Sequence, residues 1–196
     1  MTSTTSTATR RPGRPRDPQA DAAILEATEG VLCEQGFGGF TVDAVAARAG
    51  VSKATIYRRW PNKTRLVIEA ATHGLPEIEA PDTGNLRDDL VQLFHQSHGH
   101  KKTAAQERLM AAIIAEAAVN DEVREVLGEF IDARRTSSRT VIKRAKARGE
   151  LPAEADDMLL TDMIAGTLLY QGLLRGQSIT NKRVEAAVDA TMRAFI

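Results

Sequence analysis

The chain has 196 residues, of which 42% are hydrophobic and 27% are charged, a balance that excludes a wholly disordered protein. Its one cysteine, Cys33, excludes an intramolecular disulfide framework. No apolar run approaches the ~20 residues of a membrane span, and the N-terminus lacks a signal-peptide pattern, so we expect a cytoplasmic protein. Aromatic residues make up only 4%, and a core of Ala, Leu, Val, Ile and Met favours helices over strands.

The net charge is zero, but the charges are unevenly distributed. Residues 1–65 hold 10 Lys and Arg against 6 Asp and Glu, whereas residues 66–196 hold 16 against 20. A basic N-terminal part joined to an acidic remainder fits a DNA-binding domain followed by a domain with another role. A chance fluctuation of composition would give the same asymmetry.

Residues 1–16 are predicted to form a disordered basic arm. Residues 1–9 are rich in Ser and Thr, and proline prevents a helix in the RRPGRPR stretch that follows. Residues 12–16 (PGRPR) resemble the Gly-Arg-Pro core of AT-hook peptides, so Arg14 and Arg16 would suit a narrow minor groove. A tail attracted non-specifically to phosphates is the alternative.

A first helix is predicted over residues 18–35. Asp17 can cap its start, Pro18 suits its first turn, and Gly36 ends a pattern of apolar residues at three- and four-residue spacing. Because Cys33 lies within that pattern, we expect it to be a small core residue rather than a reactive thiol.

A helix-turn-helix is predicted over residues 41–60. Thr41 can cap its first short helix, Gly50 permits a left-handed turn, and Ser52 can cap its second helix. The apolar contacts that such a pair of helices requires come from Ala46, Val51 and Ile56. Another helix is predicted after residue 62, where Asn62 is a capping residue.

The remaining face of the second helix carries hydrogen-bond donors, a small residue and cations, which suit the base edges of a major groove. Thr41 and Lys63 lie at helix starts, where phosphates bind well. A helical hairpin with a solvated basic face is the alternative. The predicted reading residues are Ser52, Lys53, Ala54, Thr55, Tyr57 and Arg58.

The stretch VDAVAARAGVSKATIYRRWPNKTRLV resembles the DNA-binding region of the TetR family of bacterial repressors, with a match over residues 17–71. The resemblance implies phosphate contacts from Thr41, Tyr57 and Lys63, and base contacts from the segment 53–55. Two departures are Trp60, where phenylalanine is commoner, and Ala54, where glycine is frequent. By the same resemblance the structural residues are Val45, Ala46, Val51, Ile56 and Trp60.

After a proline-containing linker over residues 75–84, helical patterns continue to the C-terminus, and no convincing strand is found. The predicted fold is all-α with about nine helices. It comprises the arm (1–16), a three-helix helix-turn-helix domain (17–74) and a larger ligand-binding and dimerisation domain (75–196). The later helices are predicted at 85–99, 103–118, 121–148, 154–175 and 181–195.

A homodimer through the last two helices is predicted. Val184, Val188 and Met192 lie on one face of the final helix, and the helix before it is apolar on nearly all sides. The stretch AGTLLYQGLLRGQSITNKRVEAAVDATM also resembles the C-terminal end of one TetR subgroup. A purely intramolecular core is the alternative.

A pocket for a small apolar effector is predicted among the middle helices, because Met and Phe side chains tolerate varied apolar ligands and a tyrosine hydroxyl can add one polar contact. Each candidate taken singly fits an ordinary core position better. The candidate lining residues are Phe94, Met110, Ile114, Phe130, Met163 and Tyr170.

We predict no cofactor or metal. His95 and His98 are one helical turn apart and His100 lies close by, but carboxylate and cysteine ligands are missing nearby, which favours a solvated helix end. No nucleophile–base pair or phosphate-binding glycine loop is evident, so an enzyme is not expected.

Two functional hypotheses remain. The first is a repressor that binds a near-palindromic double-stranded DNA operator as a dimer and is released by a small molecule. The second is a DNA-bound module controlled by a protein partner without a small-molecule ligand. A buried apolar cavity would favour the first, and a solid core with an exposed apolar patch would favour the second.

Overall fold

The computed structural model describes residues 18–98 and 104–195. These residues contain ten α-helices, one π-helical turn and no strand, which confirms the predicted all-α class. None of the helices in these two ranges is both long and apolar enough to cross a membrane. In chain order they are α1 (Pro18–Gly39), α2 (Val42–Ala49), α3 (Lys53–Tyr57), α4 (Lys63–Thr72), α5 (Leu86–His98), α6 (Ala104–Ala117), α7 (Asp121–Arg134), α8 (Thr136–Ala147), α9 (Asp157–Leu169), the π turn (Tyr170–Leu174) and α10 (Asn181–Phe195).

The local signals that the sequence carries for helix ends are confirmed. The helical backbone of α1 is interrupted at Gly36, whose φ of 67° favours glycine. The Asn120 side chain caps α7 by accepting a hydrogen bond from the Val123 amide. Asp156 caps α9 in the same way, accepting from the amides of Met158 and Leu159.

The prediction of one helix over residues 121–148 is wrong, because the chain divides there into α7 and α8. Arg135 joins the two helices with a ψ of −8°, away from a regular helical value. Long-range contacts account for the break: Arg135 pairs with Asp162, and the Ser137 hydroxyl donates to the Ile78 carbonyl. The run Thr136, Ser137 and Ser138 at the start of α8 is the local signal that the sequence offers for the break, because Ser and Thr favour helix starts over helix interiors.

Two apolar cores organise the chain. The first, which we call the head core, joins α1–α4 to the hairpin of α6 and α7. Ile24, Val45 and Leu66 from the N-terminal helices are fully buried there together with Ile113 from α6. The helix-turn-helix therefore does not form its core alone. The contributions of α6 and α7 are Leu109, Ile113, Ala117, Val123 and Val126.

The second core, the base core, joins α5 and α8 to α9 and α10. The apolar face of α10 exists as predicted, but Val184 and Val188 are buried in this core within one chain, so this face is not exposed for contact with a second copy. Their neighbours in this core include Leu160, Ile164 and Leu168 on α9. The base core thus covers one side of α9, and its other side remains available for a second surface.

Side chains of α7 and α8 hold the linker over residues 75–84, which has no secondary structure of its own. Arg134 donates to the Pro76 carbonyl over 3.3 Å, and Arg144 donates to the Pro81 carbonyl over 3.2 Å. At the end of the linker, the fully buried Asp89 accepts from the Thr83 amide over 2.6 Å and pairs with Arg148. These bonds satisfy backbone groups that a helix would otherwise satisfy.

The expectation that Cys33 is a core residue is wrong, because its side chain is exposed. It shares a face of α1 with Glu26 and Gly30, at spacings of three and four residues, and this face lies beside Arg48. The buried residues Ile24, Leu25 and Thr28 lie on a different face.

We expect Ile113→Ala to destabilise the protein by about 2–5 kcal/mol, because it leaves a cavity in the head core. Urea unfolding followed by circular dichroism measures the effect at fixed protein concentration. In the Ile113→Ala variant, hydrogen exchange of backbone amides should become faster in α1 and α4 more than in α10. Val119→Ala is the control, because Val119 lies just after the end of α6 and is 83% exposed. This substitution should change the free energy of unfolding by no more than about 0.5 kcal/mol. Loss of protection confined to α10 would contradict a shared head core.

Candidate nucleic-acid interface

The turn between α2 and α3 has the geometry that the sequence predicts. Gly50 adopts a left-handed conformation, with φ 66° and ψ 30°, and its amide bonds the Ala46 carbonyl. The Val51 amide also donates to the Ala46 carbonyl over 3.0 Å, which closes the end of α2. Ser52 then starts α3 as its N-cap, and its hydroxyl accepts from the Thr55 amide.

One side of the helix-turn-helix is buried as scaffold. Val45, Ile56 and Trp60 are almost inaccessible to solvent in the head core, which confirms the structural roles predicted for them. The indole Nε1 of Trp60 donates to a carboxylate oxygen of Glu69 on α4 over 2.7 Å. This bond satisfies the polar atom of the buried ring and fixes α4 against the end of the motif.

The opposite side carries the predicted reading residues at or near the surface. Lys53, Ala54, Tyr57 and Arg58 are exposed, and Thr55 is partly exposed. The side chain of Tyr57 projects with 48% of its surface accessible, which is unusual for an aromatic residue beside a core. The structure therefore brings the cations, the phenol and the small Ala54 together on the surface of one short helix.

Three hydroxyl groups close to this surface are held by the caps. Thr41 Oγ1 accepts from the Ala44 amide over 3.2 Å, and Ser52 Oγ lies 3.0 Å from Thr55 Oγ1. A hydroxyl that accepts a cap bond still has its own proton to donate. Thr41 can therefore cap α2 and donate to a phosphate at the same time, whereas Ser52 and Thr55 are partly engaged with each other.

Lys53 is held in place by an ion pair that sequence analysis missed. Its Nζ lies 2.8 Å from Oδ1 of Asp43, in the first turn of α2. The hydrogen bond to Asp43, followed by the attraction of its charge, raises the pKa of Lys53 above the ordinary lysine value. The two residues are ten positions apart on different helices, so only the packing of α2 against α3 could have indicated the pair.

Lys63, in the first turn of α4, is a further basic group at the border of this surface. Asn62 caps α4 by accepting from the Arg65 amide over 2.9 Å. Lys63 Nζ lies 5.4 Å from the centre of the Phe37 ring. The ring supports the lysine stem while its ammonium stays exposed. The predicted arm residues Arg14 and Arg16 lie outside the described residues.

Comparison with known proteins agrees with this geometry. A family model described as "Bacterial regulatory proteins, tetR family" matches residues 24–70, and another described as "Tetracyclin repressor-like, C-terminal domain" matches residues 80–191. The chain belongs to the TetR family. It is therefore a DNA-binding transcription regulator of the helix-turn-helix type, as the resemblance of its N-terminal segment implied.

Relatives in the TetR family match nearly the whole chain. An uncharacterized HTH-type transcriptional regulator of Mycobacterium tuberculosis is 35% identical over 182 residues, which cover 90% of this chain and 89% of the relative. A protein named DNA-binding transcriptional repressor TetR, from Mycobacteroides abscessus, is 30% identical and is covered over 96% of its length by 92% of this chain.

Solved TetR-family structures share the fold. The regulator SCO0332 superposes with a TM-score of 0.67 at 24% identity, covering 91% of this chain and 99% of that one. The fatty acid degradation regulator FadR from Bacillus halodurans superposes with a TM-score of 0.62 at 21% identity, covering 92% of this chain and 95% of that one. At this level of identity the likeness concerns the fold alone.

The six residues predicted to line an effector pocket are not brought together in this TetR-family chain. Phe94 belongs to the base core, whereas Met110 and Phe130 pack against the head core. Met163 and Tyr170 are exposed on α9 and the π turn, and Ile114 is partly buried on α6. Sequence periodicity predicts that these six residues lie on helices, but it does not indicate against which core each helix face packs.

The exposed side of α9 and the π turn forms an apolar surface. It continues beside a groove of about 500 Å³ between α9 and α10, lined by residues that include Ala186 and Ala190. We call this surface the α9 face. Its large hydrophobic residues are Met158, Leu159, Met163, Leu169, Tyr170 and Leu174.

We expect Gly50→Ala to destabilise the protein by roughly 1–2 kcal/mol, because a residue with a Cβ disfavours the left-handed conformation. Gly128→Ala in α7 is the matched control. At both positions a new Cβ has nothing within 4 Å, but only Gly50 has a positive φ. Gly128→Ala should stabilise the helix by about 0.5–1 kcal/mol. Urea unfolding measures both, and effects of the same sign would contradict the turn assignment.

Proposed function

We propose that the protein is a transcriptional repressor that acts in the cytoplasm, binds a near-palindromic operator as a homodimer and is released by a small-molecule effector. The observation that supports this most directly is the short, exposed helix α3, which presents donors and cations on a buried scaffold. A helix of this kind fits a major groove, where base pairs expose distinct acceptors and methyl groups.

We assign the contacts within the operator by chemistry. The side chains of Lys53, Ala54 and Thr55 face base edges, with Ser52 and Arg58 at the margins of the same surface. Thr41, Tyr57 and Lys63 bind phosphates, because each offers an exposed donor at the border of the motif. Arg14 and Arg16 of the arm extend these contacts along the minor groove.

We assign dimerisation to the α9 face. Six large apolar side chains exposed on one helix and its π turn form a patch of the kind that soluble proteins cover. Exposed Ala186 and Ala190 on α10 leave room for a close approach of a second copy. Binding of such a dimer to successive major grooves requires its two copies of α3 to lie one helical turn of DNA apart, roughly 35 Å.

We place control by the effector at the contact between head and hairpin. A solvent-open cleft of about 570 Å³ lies between α4 and α7, and it is not the buried apolar cavity that would distinguish effector control from control by a protein partner. Its lining combines Ile68 and Phe130 with the charged side chains of Arg59, Arg65, Glu69 and Glu129. Its volume is within the range of small-molecule sites, roughly 300–1,000 Å³. A ligand that fits only one spacing of α4 and α7 would shift the population of head positions, and hence the spacing of the two reading helices.

Binding to DNA upstream of the protein's own gene tests the proposal. Footprinting at moderate salt should reveal a protected near-palindrome, and fluorescence anisotropy then measures affinity for that operator. Small apolar compounds that raise the melting temperature should release the DNA in the same assay. Absence of any protected palindrome would contradict the repressor assignment.

Lys63→Ala should weaken binding to operator and to random DNA by a similar factor, because a phosphate contact carries little sequence information. The slope of log K against log salt should become shallower by about 1.8, the value for two phosphates, because the proposed dimer carries two copies of Lys63. Lys143→Ala, which removes an exposed lysine from α8, is the control and should leave the slope unchanged. A loss restricted to the operator would instead assign Lys63 to base recognition.

Leu169→Arg should convert the dimer to a monomer, because it places a charge in the centre of the proposed apolar contact. Ile131→Arg is the matched control, since Ile131 on α7 is 42% exposed and Leu169 is 49% exposed. Light scattering after size-exclusion chromatography measures the mass of each variant. A dimer that survives Leu169→Arg but not Ile131→Arg would move the interface to α7.

A further inference from the structure

We call the exposed surface formed by Thr41, residues 52–55 and 57–58, and Lys63 the reading surface. One carboxylate lies among its cations. Asp43 lies two residues after Thr41, in the first turn of α2, and holds Lys53 at the start of α3. Both side chains are well exposed, Asp43 at 71% and Lys53 at 49%, so the pair faces solvent where DNA would dock. Phosphates repel an exposed carboxylate, which makes this placement costly for non-specific binding.

The other cations of the surface are not paired in this way. Within residues 18–98 and 104–195, neither Arg58 nor Lys63 forms an ion pair with a carboxylate. They are available to phosphates, whereas Lys53 is held by Asp43. The surface thus separates cations that supply general attraction to DNA from one cation whose position is constrained.

An unconstrained lysine is a poor reader of bases. Its ammonium sits on a flexible four-carbon stem and can turn towards the nearest phosphate. An ammonium has three donors, so a bond to Asp43 leaves two for acceptors such as O6 and N7 of guanine. The other lone pairs of the Asp43 carboxylate can accept from the amino group of cytosine.

We propose that Asp43 is a specificity-determining residue, which directs Lys53 towards a guanine–cytosine pair in the major groove and disfavours its contact with phosphate. This inference rests on the proposed operator binding and adds a residue to it. Asp43 acts partly through Lys53, and its charge lowers affinity for random DNA while it improves discrimination.

Asp43→Asn tests the inference in the full chain. We expect affinity for random DNA to rise and operator affinity to stay equal or fall. The discrimination ratio, which is the operator affinity divided by the affinity for random DNA, should drop by at least about fivefold, the lower limit for a good base contact. The salt slope should steepen by the value for about two phosphates, because both copies of Lys53 in the proposed dimer then bind the backbone. Asp43→Ser, a second uncharged variant that suits a first helical turn, guards against a local effect of the amide.

Asp121→Asn is the matched control. Asp121 also lies in the first turn of a capped helix, and it forms an exposed pair with Arg124 over 2.6 Å on α7. This variant makes the same change of net charge and of helix-end charge away from the reading surface, so its discrimination ratio should equal that of the unmodified protein. Circular dichroism checks that all variants remain folded.

A double-mutant cycle with Lys53→Met separates positioning from bulk charge. The ratio should fall by a clearly smaller factor when Asp43→Asn is added to Lys53→Met than when Asp43→Asn is made alone. If Asp43→Asn raises affinity for random DNA by the same factor in the presence of Lys53 and in the Lys53→Met background, Asp43 acts only as a repulsive charge. That result overturns the positioning role. If the unmodified protein fails to discriminate an operator at all, the proposed function fails. Discrimination that survives both Asp43→Asn and Asp43→Ser overturns only the inference about Asp43.

Discussion

The head core, shared between the helix-turn-helix and the α6–α7 hairpin, is the contact on which the rest of the structure depends. Alone, the four N-terminal helices would form a small domain of marginal stability, because a small domain buries a low fraction of its apolar surface. Ile113 and Val123, which follow in the chain after α5, complete their core. The α6–α7 hairpin packs against α1 and α4, so residues of the C-terminal half help to stabilise the helices on which the α2–α3 motif rests.

Polar contacts connect this head to the base core. The linker over residues 75–84 has its carbonyls bound by Arg134 and Arg144, and the buried Asp89 ties its end to Arg148. Because the linker is held by side chains of α7 and α8, it is not a free tether between two independent units. Packed elements therefore connect the α9 face to the surface that carries α3.

The reading surface combines rigidity with selective electrostatics. Trp60 and Ile56 anchor it to the core, while caps from Thr41 and Ser52 set the start of each helix. In the proposed function, exposed cations would supply general affinity for DNA, and the few side chains whose positions are constrained would supply base recognition. The ion pair of Lys53 with Asp43 belongs to the second group.

The sequence by itself determined the capped helix starts at Thr41, Ser52, Asn62 and Asn120 and the turn at Gly50, because caps and turns depend on groups within three or four residues of one another. It also determined the scaffold role of Trp60 and the family. Tertiary structure decided the break at Arg135, the exposure of Cys33, the separation of Phe94 from Phe130 and the pairing of Asp43 with Lys53. These features depend on which helix faces meet, and periodicity shows that a face is apolar without naming its partner.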